Sequence, residues 1–419
     1  MALHPLTWLF AAALLASLAV RLWLATRQMR HVASHRGAVP VAFASRVTLE
    51  AHQRAADYTV AKTRFGLLTM AFGCAVLLGW TLLGGLDALN EVVREAVLPR
   101  WGGLVYQLVL LAAFVLISAA LDLPFEWWRT FRIEQRFGFN RSTWKLFVSD
   151  MLKSMLVAAL LGLPLAALVL WIMATTGGWW WLWAWAAWTV FNLLILVLYP
   201  TVIAPLFNKF SPLPAGAARA AIEALLARCG FENRGLYVMD GSRRSSHGNA
   251  FFTGFGRAKR IVFFDTLLER LAPDEVEAVL AHELGHFKLK HVLKRMLWTA
   301  FFSLAFLALL AWLAGSPWFY TGLGVPPSMD RPGVALILFF LVLPVFTFAF
   351  APLSAFYSRR HEFEADAFAA QNASATSLVR ALVKLYEDNA STLTPDPVYS
   401  AFHDSHPPAA MRIARLEAA

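Results

Sequence analysis

The chain has 419 residues; 58% are hydrophobic and only 15% are charged, the mean hydropathy is +0.55, and there are 17 Trp and 33 Phe. Soluble domains hold about 45–50% apolar residues and more charge, so this composition excludes an ordinary globular domain and points to a polytopic membrane protein. The formal charge of +10 does not imply a nucleic-acid partner, because no basic patch is interleaved with a nucleic-acid motif and Lys and Arg gather between apolar runs.

A membrane crossing needs about 20 apolar residues. Seven stretches qualify or nearly do: Leu6–Thr26, Phe65–Gly85, Gly102–Leu121, Ser154–Ala174, Trp179–Leu198, Leu297–Ala314 and Gly333–Phe350. The first begins almost at Met1 with no basic stretch before it, which predicts a retained span. Arg21 within it is expected to snorkel to the cytoplasmic headgroups. Cys74 lies in the second run and Cys229 in a polar segment; with no CxxC, neither a disulfide framework nor a thiolate metal site is indicated. Pro164 and Pro344 sit inside spans, where kinks are ordinary. The cluster Trp179–Trp188 starts an aromatic belt at the outer face.

The loops alternate in basic content. The first carries Arg27, Arg30, Arg36, Arg46, Arg54, Lys62 and Arg64, and the third carries Arg129, Arg132, Arg136, Arg141, Lys145 and Lys153. The second, fourth and sixth are nearly free of net positive charge. Basic loops stay inside, so the N-terminus is expected outside. The fifth loop, about Pro200–Arg295, and the tail from Ser358 are expected in the cytoplasm. This predicts a membrane region over 1–200, a cytoplasmic segment over 201–295, two spans over 296–357 and a cytoplasmic tail over 358–419.

The fifth loop reads as α+β. "PAGAARAAIEALLARCGF" has helical spacing, ended by Gly230. "GLYVMD", "NAFFTGF" and "RIVFFD" read as strands of a small sheet. "APDEVEAVLAHELGHFKLKHVLKRM" reads as one helix, with Pro273 in its first turn and Asp274 and Glu275 matching its dipole.

That helix holds His282-Glu283-Leu284-Gly285-His286. Residues i and i+4 share a face, so His282 and His286 can bind one ion while Glu283 reaches a water beside it. Zn²⁺ suits two imidazoles, one carboxylate and a water, and Glu283 then serves as the catalytic base. His291 lies about 140° further around such a helix, a poor fellow ligand and an interfacial or solvated histidine. The third ligand is sought in "SRRHEFEADAFAAQ", where Glu362 and Asp366 share a face. Glu362 would complete the ligand set and Asp366 would accept the N–H of a ligating histidine, whereas Glu364 points elsewhere. The competing reading is a solvated acidic helix paired with Arg359 and Arg360; the HExxH on the same side of the bilayer favours ligation.

Several segments in order resemble the integral-membrane CAAX prenyl proteases: "FRIEQRFGFNRST", "YPTVIAPLFNKFSPL", "SSHGNAFFTGFG", "HELGH", "SRRHEFEADAFA" and "SHPPAAMRIARL". The resemblance implies a mainly α fold of seven helices walling a chamber, capped by a zinc metallopeptidase domain of the gluzincin type. It makes His282, His286 and Glu362 the ligands of one zinc ion per chain and Glu283 the base. Asn249 would lie on an edge strand that aligns substrate backbone, a placement that suits β-augmentation by an extended peptide. His406 and Arg412 would face the metal from the tail, to stabilise an oxyanion or hold a substrate carboxylate. The implied partners are the lipid bilayer and a peptide or prenylated protein, with the chain acting as a monomer. The Ala- and Arg-rich composition suggests a bacterial inner membrane rather than the endoplasmic reticulum. A quality-control zinc protease acting on non-prenylated substrates is the alternative, and a relict scaffold is opposed by the intact Glu283.

Overall fold

The computed structural model describes residues 4–231, 235–253, 260–328 and 331–418. The end of "SSHGNAFFTGFG", from Gly254, lies outside the described residues. Five long helices come first: α1 (Pro5–Ser34), α2 (Leu49–Trp80), α3 (Gly85–Trp128), α4 (Trp144–Thr175) and α5 (Trp180–Leu198). Short α6 (Ala204–Phe207), α7 (Ala217–Arg228) and α8 (Asp265–Arg270) lie in the fifth loop, followed by α9 (Pro273–Lys288). The rest comprises α10 (His291–Ala314), α11 (Pro317–Thr321), α12 (Pro332–Thr347), α13 (Ala351–Asn372), α14 (Ala375–Asp388), α15 (Pro397–His403) and α16 (Ala409–Glu417).

Among the described residues, seven helices are long and apolar enough to cross a membrane, matching the seven apolar runs. They are longer than those runs because polar flanks continue the same hydrogen-bonded ladder, which hydropathy cannot register. Thr48 and Thr143 cap α2 and α4, their hydroxyls accepting from the backbone N–H of Ala51 and Leu146. Gly102, at φ 78°, breaks α3 inside its merged length, a conformation open to glycine.

Four strands form the sheet: β1 (Phe210–Pro212), β2 (Leu236–Met239), β3 (Ala250–Thr253) and β4 (Arg260–Phe264), in the order β1-β2-β4-β3. Only β2 and β4 are parallel. The sequence shows three strands; β1 escapes it because three residues ending in Pro212 carry no alternation. β3 is an edge strand, directly after Asn249. One core joins the sheet to α7, α9, α14 and α16 through Ile222, Leu225, Phe263, Leu280, Leu284, Leu382 and Ile413. Each such buried side chain contributes about 1.5–3 kcal/mol. A separate core among the membrane helices holds Phe10, Leu86, Leu110, Tyr320 and the run Val334–Phe339.

Two junctions differ from the sequence reading. The single helix expected across Ala272–Met296 is broken at Lys290, which has φ 58° and ψ 31°. The left-handed residue turns the chain, so α10 leaves for the membrane one residue later with His291 as its first residue. The seventh span does not end before the acidic segment. α12 continues through one 3₁₀ turn, Phe348–Phe350, straight into α13. A rod from the membrane core therefore carries Glu362.

α9 and α13 cross with Gly285 at the contact. A Cβ built on Gly285 would lie 3.0 Å from Ala365 Cα, 3.1 Å from Phe368 Cβ and 3.2 Å from Ala365 O. Two of these atoms are backbone and cannot rotate away. Gly285→Ala is expected to lower stability by about 1–3 kcal/mol, and Gly285→Val by more. Thermal unfolding of the detergent-purified variants checks this; unchanged midpoints would mean that the helices can part without loss.

Candidate metal centre

α9 begins with Pro273 in place and the Glu275 carboxylate accepting the Ala272 N–H at 2.8 Å. Glu275 is buried and also takes Lys384 of α14 at 2.7 Å, which ties the helix start to its neighbour. Three turns on, His282 and His286 project from one face, their Nε2 atoms 3.2 Å apart. Glu362 comes from α13 with Oε2 3.5 Å from His282 Nε2 and Oε1 3.4 Å from His286 Nε2. Atoms about 2.0–2.1 Å from a tetrahedral ion stand roughly 3.3 Å from each other, so these three donors are spaced for one. Glu362 Oε2 is buried and makes no hydrogen bond, an orphan acceptor that a cation would satisfy. The donor set of two imidazoles and a carboxylate fits zinc.

Around the donors lies a buried polar layer. His282 Nδ1 meets Asp366 Oδ1 at 2.8 Å. Arg412 of α16 donates to both oxygens of Asp366, from Nε at 2.8 Å and Nη2 at 2.6 Å, and its Nη1 stands 3.9 Å from Glu362 Oε2. Burial alone depresses the His282 imidazolium, but the adjoining carboxylates of Asp366 and Glu362 outweigh it and raise the group to about 9. An ion entering here therefore displaces a proton. Burial raises the Glu283 carboxyl above the ordinary glutamate range, against the opposing pull of the two histidines. A base with a raised pKa is better matched to work near neutrality.

His282 opens onto a cavity of about 1040 Å³. His282, Glu283, Asn249, His406 and Arg412 all line it, with α1 and α2 forming its membrane-side wall. Every residue singled out in the sequence is thus brought to one place, in different ways. His406 is 63% exposed with Nε2 3.5 Å from Glu362 Oε1, free to meet a ligand. Arg412 is buried and bound to Asp366. Asn249 uses its own Oδ1 to accept the Ala250 N–H and its carbonyl to accept the Phe264 N–H, which holds it where β3 starts. Arg21 does not reach outward: it lines the cavity, with its guanidinium 3.8 Å from the Phe348 ring centroid.

Some side chains here make contacts that the sequence reading does not anticipate. His291, expected to be an interfacial or solvated histidine, is buried, with Nδ1 3.0 Å from His286 Nδ1 and Nε2 3.0 Å from Glu364 Oε2. Glu364 thus does join the site's surroundings, through His291. The break at Lys290 causes both differences, and no pattern in "FKLKHV" announces a left-handed lysine. Elsewhere Tyr58 donates to Glu134 at 2.6 Å, His247 stacks on Phe139, and His247 Nδ1 meets Asn389 Oδ1 at 2.9 Å. These contacts join "FRIEQRFGFN" to "SSHGN" and fix the strand entry that carries Asn249.

Two family models divide the chain: "CAAX prenyl protease N-terminal, five membrane helices" matches residues 28–209, and "Peptidase family M48" matches residues 212–419. The rice protein named CAAX prenyl protease 1 homolog is 36% identical over 380 residues, covering 88% of this chain and 87% of its own. CAAX prenyl protease 1 of Saccharomyces cerevisiae is 33% identical over 391 residues, covering 88% and 86%. The crystal structure of S. mikatae Ste24p superposes with a TM-score of 0.92 at 30% identity, over 99% of both chains. The donor cluster, its cavity and these full-length matches together establish that the chain belongs to the CAAX prenyl protease family of membrane-embedded M48 metallopeptidases.

Proposed function

We propose that this chain hydrolyses peptide bonds near the C-terminus of prenylated CAAX-type proteins, with His282, His286 and Glu362 holding one zinc ion. The convergence of three donors at 3.2–3.5 Å around the orphan Glu362 Oε2 carries the reading. Bound zinc supplies Lewis acidity, lowering the pKa of a water and polarising the scissile carbonyl. Glu283 takes the proton of the attacking water and passes it to the leaving amine. Asp366 fixes the His282 tautomer by accepting its Nδ1–H, and Arg412 keeps Asp366 charged and oriented. His406, with Nε2 3.5 Å from Glu362 Oε1, offers a hydrogen bond to the developing oxyanion. The extended substrate adds as a strand beside Asn249 and β3, an edge strand of the sheet among the described residues.

The prenylated substrate is supported by relatives named CAAX prenyl proteases that match along nearly the whole chain. Their names give no support to a quality-control role. The basic loops support a cytoplasmic site, and the Ala- and Arg-rich composition supports a bacterial inner membrane over the endoplasmic reticulum.

Glu283→Gln should lower kcat by about 10²–10⁴-fold while bound zinc, measured by elemental analysis, stays at one per chain. Unchanged cleavage would remove Glu283 from its role. Asp366→Asn should weaken zinc affinity about 10–100-fold in chelator competition. A farnesylated CAAX peptide should be cut with a higher kcat/KM than the same peptide without the lipid; equal rates would sink the prenylated-substrate assignment.

A further inference from the structure

His286 needs its Nε2 lone pair for the ion, so as a neutral imidazole it carries its proton on Nδ1. The group 3.0 Å from that nitrogen is not a carboxylate or a carbonyl but His291 Nδ1. Two facing ring nitrogens form a hydrogen bond only if one accepts. With His286 donating, His291 presents its Nδ1 lone pair and carries its own proton on Nε2, which points at Glu364 Oε2 3.0 Å away. Both bonds have normal lengths.

We infer that His291 and Glu364 are positioning residues that fix the tautomer and orientation of His286 through a His286–His291–Glu364 relay. The inference rests on the zinc reading of His282, His286 and Glu362. It parallels the direct carboxylate that Asp366 gives His282. Glu362 and Asp366 share one face of α13, and Glu364 lies about 200° around from Glu362, out of direct reach of the ion. The reversal at Lys290 brings the first residue of α10 into the gap. His361 stacks on His291, with centroids 3.9 Å apart and planes at 9°, and Tyr357 meets the far ring edge-on. This stack fixes the His291 ring so that both its nitrogens stay aimed.

A second metal ion is the competing use of this cluster, because His291, His361 and Glu364 also bring three donor atoms within 4.8 Å. Three observations oppose it. Nearly parallel stacked imidazoles aim their lone pairs side by side rather than toward a shared point. Glu364 Oε1 is taken by Arg360 at 2.9 Å. An ion on His291 Nε2 would move that ring's proton to Nδ1, where it would face the proton on His286 Nδ1. With a proton on both Nδ1 atoms the 3.0 Å His286–His291 contact would be lost, so this geometry does not suit filling both sites.

The test uses the full-length protein in detergent, loaded with Zn²⁺ or Co²⁺. His291→Phe keeps a stacked ring but deletes the acceptor; it should weaken Zn²⁺ affinity about 10–100-fold in chelator competition and alter the visible bands of the Co²⁺ form. His291→Asn, whose Oδ1 can stand where Nδ1 stood, should recover most of that affinity. Glu364→Ala should lower affinity in the same direction as His291→Phe, and it serves if His291→Phe does not fold. His361→Phe should leave Zn²⁺ affinity within about threefold of wild type. Wild-type affinity and Co²⁺ bands in both His291→Phe and Glu364→Ala would overturn the relay while leaving the metal centre standing. Two ions per wild-type chain, falling to one in His361→Phe, would overturn it in favour of a second metal site. A wild-type chain that binds no ion would overturn the zinc reading together with the relay.

Discussion

An ion held by side chains from two helices demands that their backbones approach more closely than packed side chains usually permit. The crossing of α9 and α13 meets that demand at Gly285, where no Cβ separates the helix from Ala365 and Phe368. His282 and His286 flank this contact on α9, and Glu362 and Asp366 flank it on α13. Widening the crossing by a methyl group would move one pair of donors against the other. Interiors are close-packed and transmit such strain, so one residue type in the middle of "HELGH" governs the spacing of the donors around it.

The same crossing forces several charges out of water together. Glu362, Asp366 and Arg412 are all buried, and so is His282. Isolated buried charges are costly, and removing one partner of such a set typically destabilises by about 3–5 kcal/mol. The arrangement survives because three of the four are hydrogen-bonded to one another: Arg412 grips both oxygens of Asp366, and Asp366 holds His282. Only Glu362 Oε2 lacks a hydrogen bond, and it is the atom aimed at the donor cluster. Folding of the last helix onto α13 and α14 is thereby coupled to the electrostatics of the centre, which explains why a tail far from "HELGH" in sequence belongs to the site.

Placement in the membrane follows from the two junctions. A rod from α12 into α13 joins the membrane core to Glu362. The turn at Lys290 joins the HExxH helix directly to α10. Neither partner of the metal centre hangs on a flexible loop, and both are rigid extensions of helices apolar enough to span lipid. The cavity between them and α1 and α2 is therefore bounded by membrane helices on one side and the soluble core on the other. That geometry suits a substrate carrying both an extended peptide and an apolar group.

Local pattern alone was enough to identify the seven apolar helices, the HExxH pair and the carboxylates four residues apart on a later helix. Each is a matter of periodicity or run length, written into consecutive residues. The partners of the histidines were legible in unequal measure. Asp366 could be found because it shares a helical face with Glu362. His291 and Glu364 could not, because a left-handed lysine resets the helical phase between "HELGH" and "HVLKRM". A single positive φ at a non-glycine residue has no local sequence signature, and here tertiary packing selected it. The short β1, the continuity of α12 with α13, the inward turn of Arg21 and the grip of Arg412 on Asp366 belong to the same class. Except for the local 3₁₀ turn that joins α12 to α13, each depends on contacts between residues tens to hundreds of positions apart, which only the folded chain brings within van der Waals distance.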